Sequence, residues 1–352
     1  MLVSSTDRMT GATVFAPRLA QLLDAHRRDT VFRLDPGTIG VADPSMIDIL
    51  LHARPMHDSE RPTFKPFRGK PITRPESSEM MQAITQDVRR ALKQPLKTGL
   101  DLTGEWPAVG HRYLRDLIFP HDPFRLRLLS RRKLEASHAV SRTVLGTGAL
   151  LPGGRVSLDS DASSVAKHTF GKLETFRYRQ KLHAMGLYRR MASPICNTVA
   201  TLATNAIWLA APFPPDTPNR DILLEALRLL PPSWNLVRFA SPEYPVLDDR
   251  IGPADDVLML PLLTQRNPDF WDDPDAYRPQ RWAGVDPDTL PAYLPFGHAS
   301  ERCWGRHLVL PLAERLLDLV RAGGFAVDPK QAVARVPLDG LLGVRVRVAR
   351  TQ

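Results

Sequence analysis

A lone cysteine stands just before a helical pattern near the C-terminal end of the chain. Cys303 lies in a loop that begins at Leu294 and contains glycine, and apolar residues recur with helical spacing directly after it. Backbone N–H groups and the macrodipole at a helix N-terminus stabilise a thiolate, which is the form of cysteine that binds metal ions. Gly297 and Gly305 allow the backbone to approach a flat macrocycle, and Phe296 can exclude water beside the cysteine. This loop therefore constrains the fold and chemistry of the chain more than any other segment.

Cysteine usage leaves one alternative open. Taken alone, Cys303 also fits a small thiol buried in the core, because free cysteine is among the most buried residue types. The only other cysteine is Cys196. A disulfide framework is therefore not expected, and a reducing compartment fits.

Composition and charge restrict the function classes. The chain has 352 residues, of which 43% are hydrophobic, so a substantial core can be buried. No apolar run is long enough to span a bilayer, and the N-terminus predicts neither an anchor nor a signal peptide, so we expect a cytoplasmic protein without membrane contact. A net charge of +9 favours an acidic partner protein. Nucleic-acid binding is not expected, because the arginines are dispersed and no aromatic stacking residues lie between them. The abundance of Arg, Ala, Pro and Leu indicates a bacterial source.

The periodicity predicts a mainly α chain with a small β-rich lobe, forming one domain over residues 1–352. The β-rich lobe is expected mainly over 28–42 and 234–260, and the helical part over 79–232 and 296–323. Residues 55–75 are predicted to form a loop. Helices are predicted over 17–26, up to 51, over 79–95, from 101 onward, over 126–144, 163–185, 186–209 and 221–230.

Two helical segments carry features that bear on function. The segment 186–209 is apolar and contains no acidic residue, and Pro194 within it can kink a helix. Glu225 and Arg228 are spaced three residues apart, so they share one face of a helix. Such a pair is most often a surface salt bridge worth about 0.3–0.5 kcal/mol.

Phe296, Gly297, Cys303 and Gly305 stand at the spacing Phe-Gly-x-Gly-x-Arg/His-x-Cys-x-Gly, and in this the chain resembles the cytochrome P450 family. Upstream, Glu225 and Arg228 resemble the Glu-x-x-Arg pair of that family. The segment 277–282 resembles its Phe-x-Pro-Glu-Arg-Phe motif, and the order of these motifs covers most of the chain. The resemblance implies the cytochrome P450 fold.

The resemblance further implies that Cys303 is the metal ligand of a haem b. A buried structural triad, which keeps the thiolate loop rigid, then falls on Glu225, Arg228 and Arg281. The residues expected to contact the haem are Phe296, Gly297, His298, Arg302, Gly305, Arg89 and Arg238.

Several positions depart from the family pattern. Ala299 replaces the usual second glycine, and Glu301 replaces a cation that binds a haem propionate, so that role passes to Arg238 and Arg89, helped by His298 or Arg302. Arg89 matches the arginine of Trp/His-x-x-x-Arg, but Thr85 stands at the aromatic or histidine position. A solvated helix face is the alternative interpretation of Arg89.

The central helix of the family carries an acid and an alcohol that deliver protons to bound dioxygen. In this chain Cys196, Asn197 and Thr198 stand in that region, and no acid is present. Proton delivery by Asn197, Thr198 or water, a proton from the substrate, and the use of peroxide all remain open. Packing within the helix is the alternative role for Cys196 and Thr198.

The resemblance predicts a bacterial haem-thiolate monooxygenase, an oxidoreductase that tailors a secondary metabolite by hydroxylation, ring formation or coupling. Its substrate is expected to be a small molecule or a carrier-tethered molecule, and its electrons are expected from a ferredoxin and ferredoxin reductase. The alternatives are a haem-dependent peroxygenase, isomerase, dehydratase or cyclase, and a degenerate binding protein without catalysis.

Overall fold

The structure is a computed structural model that describes residues 8–52, 72–97, 99–122, 160–171, 178–297, 302–338 and 340–351. Helices dominate these residues, and three small sheets lie beside them, so the prediction of a mainly α chain with a small β-rich part is confirmed. The predicted helix over 126–144 and most of the predicted loop over 55–75 lie outside the described residues.

The N-terminal part contains the hairpin that the sequence predicts. A short π-helix (Arg8–Ala12) leads into β1 (Thr13–Phe15), and α1 (Pro17–Ala25) follows, with a proline in its first turn. Strands β2 (Val31–Asp35) and β3 (Thr38–Val41) pair antiparallel, and α2 (Pro44–His52) comes next.

Four helices pack together as a bundle that forms the main body of the molecule. They are α3 (Arg74–Leu92), α4 (Ala108–Ile118), the long α6 (Tyr178–Ala210) and α10 (Arg306–Ala322). The central helix α6 contacts the other three, and a shorter helix, α5 (Ser164–Phe170), packs between α3 and α6. The bundle therefore places the start of α10, where Cys303 lies, beside α3 and at one side of α6.

Most of the other helices and strands lie between α6 and α10 or after α10 in the sequence. They are α7 (Asn219–Leu229), β5 (Leu236–Arg238), α8 (Tyr244–Leu247), β6 (Asp256–Met259), α9 (Pro261–Thr264), β7 (Phe325–Val327), β8 (Ala334–Val336) and β9 (Val346–Arg350). Short 3-10 turns cover Pro279–Trp282 and Pro287–Thr289.

The two predicted β-rich segments form one sheet. Its strand order is β2-β3-β6-β5, with β3 and β6 parallel and the outer pairs antiparallel. A core of its own, which includes Val41, Ile47, Val257 and Leu294, underlies this sheet. Leu294 is the first residue of the thiolate loop, so the β-rich lobe anchors the beginning of that loop.

Three predicted boundaries were wrong for local reasons. Helix α3 begins at Arg74 and not at Glu79, because the Thr73 side chain accepts a hydrogen bond from the backbone N–H of Glu76 and caps the helix. The helix predicted from Asp101 begins only at Ala108, since Gly104–Trp106 pairs with β9 as strand β4. The helix predicted over 163–185 is interrupted, as α5 ends at Phe170.

Two further sheets were not predicted. Strands β1 and β8 pair in parallel, and β4, β9 and β7 form a three-stranded antiparallel sheet. Each of these strands except β9 has three residues, which is too short to show a period of two. Within the described ranges, none of the helices has the length and apolarity that crossing a membrane requires.

Candidate functional site

The loop before α10 is shaped by backbone hydrogen bonds. The N–H of Gly297 donates to the carbonyl of Leu294 at 3.2 Å, and the N–H of Cys303 donates to the carbonyl of Phe296 at 2.7 Å. Gly297 has a φ of +81°, a conformation that favours glycine. The Phe296 carbonyl is therefore turned toward Cys303, three residues before the first residue of α10, and this hydrogen bond joins the two ends of the loop.

The backbone N–H groups of Gly305 and Arg306 at the start of α10 favour the thiolate form of Cys303, and the N–H of Arg306 donates to the Cys303 carbonyl at 3.2 Å. Desolvation by the surrounding protein atoms raises the pKa of this thiol, although the residue as a whole is exposed. The two N–H donors and the charge of Arg306 act in the opposite direction and favour the thiolate. An exposed cysteine whose thiolate is favoured by nearby backbone N–H groups is suited to bind a metal ion that displaces its proton.

Gly305 keeps space open beside this sulfur. A Cβ built at Gly305 would lie 3.9 Å from Cys303 Sγ and 3.8 Å from the methyl group of Met81, which are ordinary contact distances. A side chain at this position would occupy the space next to the thiol. The donor set and this open space together fit a flat, iron-containing ligand such as haem.

The structure brings Glu225, Arg228 and Arg281 together. Arg228 Nε and Nη2 donate to the two carboxylate oxygens of Glu225 at 2.9 and 2.8 Å, and Arg281 Nε donates to Glu225 at 3.2 Å. Both Glu225 and Arg228 are fully buried. The predicted pair is therefore not a surface salt bridge but a buried ion pair on α7 with a second arginine from the segment after residue 277.

Every donor in this ion pair is satisfied. The three N–H groups of Arg228 that do not reach Glu225 donate to backbone carbonyls of residues 265, 274 and 276. Glu225 also accepts from the indole N–H of Trp282 at 2.9 Å and from the backbone N–H of Arg278 at 2.9 Å. Because all five donors of Arg228 are used, the desolvation cost of burying its charge is offset locally.

The arginines predicted to meet a carboxylate ligand lie in different environments. Arg302 is paired with Asp288 at 2.7 Å, and Arg306 lies 3.5 Å from the same carboxylate. Arg89 is exposed on α3, and Arg238 ends β5, where its guanidinium donates to the carbonyl of Val237 at 3.4 Å. His298 lies outside the described residues.

Two cavities flank the thiolate loop. One, of about 510 Å³, lies between α3 and the start of α10, and Arg89, Trp304 and His307 line it. The other, of about 270 Å³, is lined by the loop residues Phe296 and Gly297 and by Arg302 and Arg306, among others. Arg89 thus shares a cavity with the residue next to Cys303, whereas Arg238 lines neither cavity.

Thr85 occupies the position at which the family pattern has an aromatic residue or histidine. Its hydroxyl donates to the carbonyl of Met81 at 2.7 Å and lies 3.4 Å from Nε2 of His307. The polar contact between α3 and α10 is therefore made by Thr85 and His307, and this role of His307 was not predicted.

The three candidate proton-transfer residues on the central helix α6 differ in burial. Cys196 is fully buried in the main core, and burial raises the pKa of its thiol far above the ordinary value. Asn197 and Thr198 are half-buried. Ser193, one turn before Asn197, has a buried hydroxyl oxygen without a hydrogen-bond partner among the described residues. Ser193, Asn197 and Thr198 thus offer polar groups with hydrogen-bonding capacity, whereas Cys196 is a core residue.

Sequence reasoning missed two residues that hold the beginning of the loop. The Tyr293 hydroxyl donates to the carbonyl of Leu224 at 3.0 Å, and Gln265 accepts from the backbone N–H of Leu294 at 2.9 Å. Burial and the nearby charge of Glu225 raise the pKa of Tyr293, so its hydroxyl stays protonated. A polar glutamine after the apolar run 260–263 was the available signal for Gln265.

The chain is similar to known proteins both in sequence and in fold. A family model described as "Cytochrome P450" matches residues 220–311. Cyclooctatin synthase of Streptomyces melanosporofaciens is 35% identical over 105 residues, which is 29% of this chain and 22% of that protein. Cyclooctat-9-en-7-ol 5-monooxygenase of the same organism is 35% identical over 95 residues, 26% of this chain and 20% of that protein. These matches span about a fifth of the length of the relatives.

Solved structures resemble almost the whole chain. The open form of cytochrome P450 EryK from S. erythraea superposes with a TM-score of 0.62 at 16% identity, covering 95% of both chains. A thermophilic cytochrome P450 from Sulfolobus tokodaii gives a TM-score of 0.57 at 16% identity, covering 94% of this chain and 100% of the other. At 16% identity the structural similarity establishes the fold alone, and this chain has the same fold as these proteins.

Proposed function

We propose that this chain is a member of the cytochrome P450 family and a haem-thiolate oxidoreductase, with Cys303 as the iron ligand. The observation that carries the proposal is the position of Cys303, an exposed cysteine just before α10, where the backbone N–H groups of Gly305 and Arg306 favour the thiolate. Thiolates in such positions are strong ligands for iron. The matched family model over 220–311 includes this cysteine and the buried ion pair.

Haem b, when bound, supplies a redox-active iron that oxidises organic molecules. Arg89, next to Trp304 and His307, and Arg238 on β5 are the proposed partners of its propionates. Arg302 is the weaker candidate, because Asp288 already neutralises it. A guanidinium suits this role because it binds a carboxylate in a bidentate manner, and an unpaired buried carboxylate is costly.

For proton transfer to a bound haem we propose Asn197 and Thr198 on α6. These residues are half-buried, and Ser193 one turn away adds a hydroxyl oxygen that has no partner within the described part of the chain. The Cys196 thiol is too deeply buried to exchange protons with solvent, and its raised pKa keeps it protonated. An amide and hydroxyls can hold an ordered water in place of the missing acid.

The proposed reaction is the oxidation of a bacterial secondary metabolite, by hydroxylation, ring formation or coupling. It is supported by the similarity to the two Streptomyces proteins named as cyclooctatin synthase and as a monooxygenase. The substrate class is a small molecule, free or tethered to a carrier. A ferredoxin with its reductase is the proposed electron source, since the net charge of +9 favours an acidic partner.

One observation favours a second candidate function. No acidic residue occurs between residues 186 and 209 of the helix that would deliver protons to dioxygen. A haem enzyme outside the monooxygenase cycle, such as a peroxygenase, isomerase, dehydratase or cyclase, needs no such acid. Incorporation of isotopically labelled dioxygen into a product, driven by NADH and a ferredoxin system, would decide for the first candidate and against the second.

The test of haem-thiolate ligation is the optical spectrum of the purified protein, reduced with dithionite and exposed to carbon monoxide. We expect a strongly red-shifted Soret band in the wild-type protein and its complete loss in Cys303→Ser. Cys196→Ala is the matched control and should keep the band, because Cys196 lies in the core. A Cys303→Ser protein with an unchanged band contradicts the proposal, and a folded wild-type protein that takes up no haem indicates a non-catalytic binding protein.

A further inference from the structure

The buried ion pair on α7 does not itself touch the loop that carries Cys303. Within the described residues, the side-chain hydrogen bonds of Glu225 and Arg228 go to each other, to residues 278, 281 and 282, and to the backbone carbonyls of 265, 274 and 276. None of these partners belongs to the segment from Leu294 to Cys303. Any hydrogen-bonded connection from the ion pair to the described part of the loop therefore passes through another residue.

Gln265 has the contacts that such a connection requires. Its side-chain amide donates to the carbonyls of Leu227 and Arg228 at 3.0 and 3.1 Å, at the end of α7, where helix carbonyls have no partner within the helix. Its backbone carbonyl accepts from Arg228 Nη1 at 2.9 Å. Gln265 and Arg228 thus bind each other's backbone reciprocally, and Gln265 is fully buried.

The other end of the same side chain reaches the loop. Gln265 Oε1 accepts from the backbone N–H of Leu294 at 2.9 Å. The Leu294 carbonyl then accepts from Gly297, and the Phe296 carbonyl accepts from the N–H of Cys303 at 2.7 Å. Three hydrogen bonds in the same short segment therefore lead from Gln265 to the cysteine.

We infer that Gln265 is the positioning residue that transmits the rigidity of the Glu225–Arg228 ion pair to the Cys303 loop. The inference rests on the proposed function for its consequence at the haem, but its structural content concerns the protein alone. Tyr293 provides a parallel anchor through its hydrogen bond to Leu224, so the loop stays attached when Gln265 is changed. Removal of the glutamine amide then loosens the position of the loop without detaching it.

The test is hydrogen exchange of the Leu294 amide in the purified protein. In the wild type this amide should exchange slowly, because its acceptor is fully buried. In Gln265→Met, which keeps the size of the side chain and removes its hydrogen bonds, exchange of Leu294 should be about tenfold faster or more, while exchange in the middle of α7 changes little.

Gln331→Met is the matched control. Gln331 also joins two segments with its amide, donating to the carbonyl of Arg345 at 2.8 Å and accepting from the backbone N–H of Arg347 at 2.7 Å, but it lies near β9. This variant should leave exchange at Leu294 unchanged. Two results overturn the inference. One is an unchanged exchange rate of Leu294 in Gln265→Met. The other is fast exchange of Leu294 in the wild type, which can be measured even where Gln265→Met does not fold.

The carbon monoxide spectrum supplies the second readout. With haem bound, Gln265→Met should convert part of the thiolate band into the less red-shifted band of a thiol-ligated or detached haem, whereas Gln331→Met should not. Absence of haem from every variant, together with the predicted exchange rates, means that the proposed function fails while the positioning role stands. A full thiolate band with unchanged exchange rates means that the positioning role of Gln265 fails while the proposed function stands.

Discussion

The segment from α7 to the start of α10 and the central helix α6 are stabilised in different ways. The first is organised by buried charges and amides whose hydrogen bonds are satisfied, such as Glu225, Arg228 and Gln265. The second is mostly apolar along residues 199–210, all of which are buried, with Thr201, Thr204 and Asn205 as the polar exceptions, and its candidate polar groups Asn197 and Thr198 lie before that stretch.

The difference teaches how each region relates to chemistry. A saturated polar network has few alternative arrangements, because each donor that loses its partner in the interior is costly. It therefore defines where Cys303 lies. Apolar packing is tolerant of side-chain exchange as long as volume is kept. The helix α6 can thus lose an acid from its polar stretch without losing the fold, and the reaction catalysed next to it can differ.

The largest effect is expected from breaking the ion pair. Glu225→Gln leaves the fully buried Arg228 without a counter-charge, and we expect a loss of about 3–5 kcal/mol in the free energy of unfolding. Urea denaturation followed by circular dichroism measures it.

Glu105→Gln is the control for that substitution. Glu105 forms an exposed pair with Arg347, with 63% of its side chain accessible, and its loss should cost well under about 1 kcal/mol. Equal effects of the two substitutions would contradict the view that the polar network, and not charge pairing in general, stabilises this region.

A smaller effect on the free energy of unfolding is expected from acid, through His111 on α4, which packs against the central helix α6. His111 on α4 is buried, and desolvation lowers its pKa to about 4, with the charge of Arg115 acting in the same direction. The unfolded chain, with an ordinary pKa of about 6.5, binds this proton first, so stability is complete above pH 6.5 and falls toward pH 4. At pH 5 the loss amounts to about 2 kcal/mol.

His111→Phe removes this titration while keeping a ring in the core. The free energy of unfolding falls between pH 7 and pH 5, and this fall should be about 2 kcal/mol smaller in the variant than in the wild type. Identical pH profiles of the two proteins would show that His111 contributes nothing to the acid sensitivity.

The smallest effect on stability is expected at the half-buried polar positions of α6. Asn197→Ala should change the free energy of unfolding by less than about 1 kcal/mol, because no hydrogen bond to a core group is lost. If Asn197 orders a proton-delivering water, the variant should instead lower the product formed per NADH consumed. Unchanged product yield would remove Asn197 from the proposed proton path and leave Thr198.

Local signals predicted much of the fold because they act over a few residues. The hairpin of β2 and β3, the helix after Pro17 and the long helix through 186–209 were predicted from periodicity and turn residues. The three-residue strands β4, β7 and β8 were missed, since their pairing depends on partners up to more than two hundred residues away, as between Gly104 and Val348. Helix ends differed where a cap, as at Thr73, moved them.

The sequence alone determined the presence and order of the site's parts: a cysteine before a helix, a glutamate and an arginine three residues apart, and an apolar helix without an acid. Only the tertiary structure decided how these parts are connected. It buried Glu225 and Arg228 and left Cys303 exposed, next to backbone N–H groups at the start of α10 that favour its thiolate. It also placed Gln265 between the ion pair and the loop. The physical reason is that spacing along the chain specifies local geometry, whereas burial and hydrogen-bond partners arise from segments that meet only in the folded protein.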